Sequence, residues 1–143
     1  MYIDNQALFE DNQQHLTTEA SANLLDLAEA RNLGVGENLY VVAVVKTAMT
    51  DAGSDSTMKL TLETDDNAAF SSATERQTIG TFAALSAAGA RLVARLAPEV
   101  INERYLRVKY TVANGDLTAG KFTVAIVKDL QAFTAYADSL VIS

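Results

Sequence analysis

The chain has 143 residues, 49% of them hydrophobic, with no cysteine, no tryptophan and a single histidine, and eighteen acidic against eleven basic residues leave it a net charge of −7. That length is one domain, residues 1–143, able to bury a core without a metal or disulfide staple; the missing cysteines exclude disulfides, thiolate nucleophiles and thiolate metal sites, and fit synthesis in a reducing cytosol. The negative balance disfavours a nucleic-acid partner, because affinity for a phosphate backbone comes from Lys and Arg displacing counterions, and the lack of any apolar run near ~18 residues predicts no membrane span.

In chain order, residues 1–22 read as an irregular arm carrying Tyr2, Ile3, Leu8 and Phe9, without the basic-then-apolar layout of an export signal. His15 lies in the polar run EDNQQHLTTE and is expected to be solvent-exposed. EASANLLDLAEARN, residues 19–32, fits either an amphipathic helix or short strands bounded by Gly34 and Gly36, and periodicity does not decide between them. Those two glycines lack the lysine and third glycine of a phosphate loop and predict a tight turn.

NLYVVAVVKT, residues 38–47, is apolar on both alternating sets and predicts a strand covered on both faces, by a second sheet and an outer loop or by another subunit. Asp51 and Asp55 in TDAGSDS mark a turn. In STMKLTLET, Met58, Leu60 and Leu62 point inward while Lys59, Thr61 and Glu63 point out. TFAALSAAGARLVARL, residues 81–96, again admits both spacings, with Gly89 interrupting it; a strand through 90–96 would alternate Leu92, Ala94 and Leu96 with Arg91, Val93 and Arg95, ending before Pro98. In ERYLRVKYTVANGD, Leu106, Val108, Tyr110 and Val112 form the inner set, and Arg104, Arg107 and Lys109, the densest basic group, fall on a solvated strand face. Asn114 and Gly115 supply a turn because both tolerate positive φ. After DLTAG the chain resumes as KFTVAIVKD, read as the next antiparallel strand, with Phe122, Val124 and Ile126 inward. Residues 129–143 form a second irregular arm bearing Phe133, Tyr136, Leu140 and Ile142. Turn signals spaced through strands of five to ten residues predict an all-β antiparallel sandwich with N- and C-terminal arms.

LTLETDDNAAFSS, residues 60–72, crowds Glu63, Asp65 and Asp66 together. Glu63 and Asp65 share one face of an extended chain, as an acid and base pair would, but a sugar-cleaving cleft also needs aromatic walls and this chain has no tryptophan. A calcium loop of the EF-hand type needs a glycine and a closing glutamate that TDDNAAF lacks. A turn needs nothing further: Asp65, Asp66 and Asn67 accept backbone hydrogen bonds two residues on, and Phe70 packs back over the sheet edge. The residue types predict no catalytic site, no cofactor and no metal.

The stretches LLDLAEARNLGVGENLYVVAVV, LTLETDDNAAFSSAT and ERYLRVKYTVANGDLTAGKFTVAIVKDLQAFTAY, spanning about Leu24 to Tyr136, resemble the capsid cement or decoration proteins of tailed bacteriophages, the family typified by the cement protein of a Bordetella phage. The resemblance implies a jelly-roll sandwich on the outer face of an icosahedral virion capsid, made in the bacterial host cytoplasm and binding the major capsid protein and itself, as a homodimer in preference to a trimer. It also implies strand and loop for the two segments that periodicity leaves open. No catalytic residue comes with it. The apolar side chains of the arms, Tyr2, Ile3, Leu8, Phe9, Phe133, Tyr136 and Leu140, are the expected capsid or subunit contacts, since large apolar groups outside a core either fold back or dock on a neighbour. The alternative from another class is a carbohydrate-binding, lectin-like jelly roll, against which the absence of tryptophan counts.

Overall fold

The computed structural model describes residues 8–21, 23–27, 39–96 and 102–127. Nine strands run through them: β1 (Leu8–Gln14), β2 (Glu19–Ala20), β3 (Leu25–Asp26), β4 (Tyr40–Asp51), β5 (Thr57–Asp65), β6 (Thr74–Phe82), β7 (Arg91–Arg95), β8 (Tyr105–Ala113) and β9 (Leu117–Val127). They form two antiparallel sheets, one of four strands in the order β1-β9-β4-β7, the other of five in the order β2-β8-β5-β6 with β3 also on β8. Among the described residues there is no helix, so the all-β expectation holds, and both segments that periodicity left open are strand and turn where they are described.

The sheets stack on a shared core made chiefly from alternate positions of β4, β5, β7, β8 and β9. Met58, Leu60 and Leu62 of β5 and Leu106, Val108 and Tyr110 of β8 are each 0% exposed, and they face Val41, Ala43 and Val45 of β4 and Phe122 and Val124 of β9. Leu92, Ala94 and Leu96 pack on the same core. Burying each large apolar side chain stabilises the fold by about 1.5–3 kcal/mol, so this alternation is the main force selecting the register. β4 is buried on its other face too: Val42 and Val44 pack with Tyr40 and Val127 in a second cluster. That burial exists within the single chain, so the all-apolar run of β4 requires no second subunit to cover it.

In the course and pairing of the strands the structure differs from the sequence reading in three places. First, β8 and β9 are consecutive but do not pair; β8 lies between β5 and β2, and β9 between β4 and β1. Asn114 (φ 67°) and Gly115 (φ 109°) do make the turn, but it is a corner that carries the chain from one sheet to the other. Ser56 Oγ donates to Gly115 O at 2.7 Å and Leu117 N to Leu16 O at 2.9 Å, fixing that corner. Tyr110 and Phe122 therefore meet across the core, their ring centroids 5.6 Å apart. Second, LTAG belongs to β9, which starts at Leu117 and pairs with Asp51 there. Third, residues 8–20 include strands β1 and β2, so the described part of the N-terminal arm is regular. β6 carries only Ile79 and Phe82 as buried apolar side chains, too few to show a period of two. Gly34, Gly36, Pro98 and the arm at 129–143 lie outside the described residues.

Candidate functional site

Of the expected contact residues, Leu8 and Phe9 are described; Tyr2, Ile3, Phe133, Tyr136 and Leu140 lie outside the described residues. Leu8 is half-buried at the start of β1, while Phe9 is 0% exposed and belongs to the chain's own core. The pairing of β1 with β9 slips between Leu8 and Glu10 and again between Glu10 and Gln13, and Asn12 takes φ 54° with its N–H on Thr123 Oγ1 at 3.0 Å. Such bulges twist an end strand and make it a poorer template for unwanted pairing. Its tail, Asp11 to Gln14, is polar and exposed.

Just beyond β1, His15 is 4% exposed, contrary to the expectation of a solvated histidine. Its ring stacks on Tyr110 with centroids 3.9 Å apart and 18° between planes. Glu10 Oε1 lies 3.1 Å from Nε2 and Glu19 Oε1 2.8 Å from Nδ1, so a protonated imidazole can donate to both carboxylates at once. Burial disfavours that cation, yet the two carboxylates outweigh it and hold the pKa above the ordinary imidazole value. Burial also pushes the Tyr110 phenol well up, with Glu10 and Glu19 adding to the effect, so it stays neutral. The cluster links β1 to β2 and β8, and so one sheet to the other. Its local sequence is polar apart from Leu16 and carries no sign of burial, and the i,i+4 spacing of His15 and Glu19 brings side chains together by rule only on a helix, which this segment is not.

The outer face of the five-stranded sheet holds the acidic run that first suggested chemistry. Asp65 Oδ1 accepts from Asn67 N at 3.0 Å and Oδ2 from Ser72 N at 2.8 Å, while Asn67 Oδ1 accepts from Ala69 N at 2.9 Å. These bonds reverse the chain between β5 and β6; Asp65 and Asn67 each accept from two residues on, as read from the sequence, and Asp65 also reaches Ser72 seven residues on. Burial works against the charged Asp65 carboxyl, but the Ser72 and Asn67 donors prevail and hold its pKa below the ordinary carboxylate value. The turn folds Phe70 (8% exposed) back over the sheet, where the Arg107 guanidinium lies 4.2 Å from its ring centroid. Glu63 Oε2 accepts from Arg107 Nε at 2.9 Å, with Lys109 Nζ 3.7 Å from its other oxygen. Asp51 makes the companion turn, its Oδ2 accepting from the N–H groups of Gly53, Asp55 and Ser56 at 3.1–3.3 Å. Each of these carboxylates accepts hydrogen bonds that hold a turn or tie neighbouring strands.

Of the basic group expected on a solvated face, Arg107 and Lys109 meet Glu63 and Arg104 forms a two-pronged pair with Asp26 at 2.7 and 2.9 Å, tying the start of β8 to β3; outside that group, Arg76 meets Glu103 at 3.0 Å. Among the described residues no cluster of His, Asp and Glu could hold a metal ion. No curated protein matches this chain. The family model for Bbp16 matches it over residues 9–126, from the first core residue of β1 almost to the end of β9. The match takes in nearly all of the described sandwich, and the chain belongs to the Bbp16 family, that of the Bordetella phage BPP-1 cement protein: a structural protein of the phage capsid, not an enzyme.

Proposed function

We propose that the protein binds the outer surface of the assembled capsid and cements adjacent capsomers by non-covalent contacts with the major capsid protein and with a second copy of itself. The observation that carries this reading is membership of the cement-protein family over residues 9–126. The mechanism is linkage: a subunit that binds the closed shell but not its separated parts stabilises the shell by its binding free energy. In a homodimer that contacts two capsomers, the second contact is effectively intramolecular, so moderate interfaces hold strongly through avidity. The strand orders 1-9-4-7 and 2-8-5-6 support reading the sandwich as a jelly roll.

The arms supply the contacts across the seam: Tyr2 and Ile3, with Leu8 at the root, on one side, and Phe133, Tyr136 and Leu140 on the other. Phe9 anchors the N-terminal arm to its own domain, because its side chain is spent on the core. Strand addition at a neighbour's sheet edge is the mode that suits such segments. The test is truncation of residues 1–7, or of 130–143, followed by decoration of phage heads assembled without the protein. Folded but non-decorating variants are expected. Decoration equal to that of the full chain would reject the role of the arms.

A further inference from the structure

The turn between β6 and β7, AALSAAGA at residues 83–90, is uncharged and mostly apolar, yet Ala83, Leu85, Ala87 and Ala88 are exposed. Leu85 is 51% exposed and sits at φ 58°, a left-handed conformation that a leucine side chain disfavours. The backbone on either side holds it there. Ser86 O accepts from Met49 N at 2.9 Å, Ser86 Oγ donates to Ala83 O at 2.7 Å, Gly89 N donates to Val45 O at 2.8 Å, and Val45 N donates to Ala90 O at 2.9 Å. The turn is thus stapled to β4, and Leu85 projects from it in one pre-set direction. A strained, rigid, apolar side chain held out in water makes no sense as packing; as a contact it binds without first being ordered.

We infer that Leu85 is an anchor that enters an apolar hollow on the capsid shell, a contact separate from those of the arms; this rests on the capsid-cement reading. Charge favours the shell over a second copy as occupant. The same end of the sandwich carries Asp51, Asp55 and Asp116, with Asp51 two residues beyond Met49 and paired with Leu117. No Lys or Arg lies in 51–56, 83–90 or 114–116. A two-fold contact through this end would set those carboxylates against their own copies, whereas a hollow with a basic rim would match them.

The test uses the full chain and phage heads assembled without it. Leu85→Asn and Leu85→Gly remove the apolar side chain while suiting the left-handed backbone, so both should melt at the wild-type temperature or above it. Both should bind heads on the order of tenfold or more weakly, as expected for losing a buried leucine at an interface, while Leu85→Met stays close to wild type. Decoration by Leu85→Asn at wild-type affinity would overturn the inference. So would a shift of the free protein from dimer to monomer with head binding intact, which would make the second copy the occupant. Failure of the wild-type chain itself to decorate heads would sink the capsid reading, and this inference with it.

Discussion

Phe9→Ala separates a residue that belongs to the domain from one that is held out to a partner. Phe9 is 0% exposed in the shared core, on a strand that among the described residues pairs with β9 alone. Truncating a buried phenylalanine removes its transfer free energy and leaves a cavity, about 3–5 kcal/mol in all. For a domain of this size each kcal/mol lowers the melting temperature by roughly 3 °C, so a fall of about 10–15 °C is expected. Urea unfolding adds a second reading. An unchanged m value would place the loss in a cavity inside an otherwise intact sandwich, while a lowered m value would show β1 detached. Truncation of residues 1–7 serves as the control and should leave both quantities unaltered. A melting temperature within about 2 °C of wild type would refute the reasoning, because a side chain buried as described cannot be removed at so small a cost.

His15 should give the stability a definite slope against pH. Its folded pKa is raised, so its contribution is complete below the unfolded value of about 6.5 and is lost as pH rises through the folded value. Melting temperature should therefore decline as pH rises above about 6.5, and His15→Gln should flatten that decline; a slope that survives the substitution would assign it to other groups. Gly115→Ala should cost about 1–2 kcal/mol by chemical denaturation, since the new Cβ would stand 3.7 Å from Ser56 Oγ with room to spare and the strain lies in φ 109° alone. An unchanged stability would mean that the corner relaxes freely. The net charge of −7 should steer the subunit onto a basic patch of the shell, so the association rate with heads should fall as salt rises; a rate indifferent to salt would remove electrostatics from the encounter.

The acidic turns were legible because their chemistry is local. Asp51 and Asp65 bond to N–H groups two to seven residues ahead, which the spacing of TDAGSDS and ETDDNAAFSS already contains. The inward sets of β5, β8 and β9, and the burial of β4 on both faces, were legible for the same kind of reason, since a period of two depends only on the pleat of one strand. Phe9 misled because a large apolar group near a chain end reads alike whether it docks on a neighbour or on its own domain. His15 was hidden because its partners come from different strands: Tyr110 stacks on it from β8, 95 positions away in the chain.

By itself the sequence determined that the chain is extended, which side chains of its clearest strands face inward, and where the acidic turns fall. Only the tertiary structure decided which strands are neighbours, that the Asn114–Gly115 corner joins two sheets, and that a histidine in a polar run is buried between two glutamates. The physical reason is that alternation and turn bonding are short-range. Strand pairing and burial depend on where distant segments come to lie, and an inward-facing residue is equally satisfied by a partner beside it in the sheet or opposite it across the core.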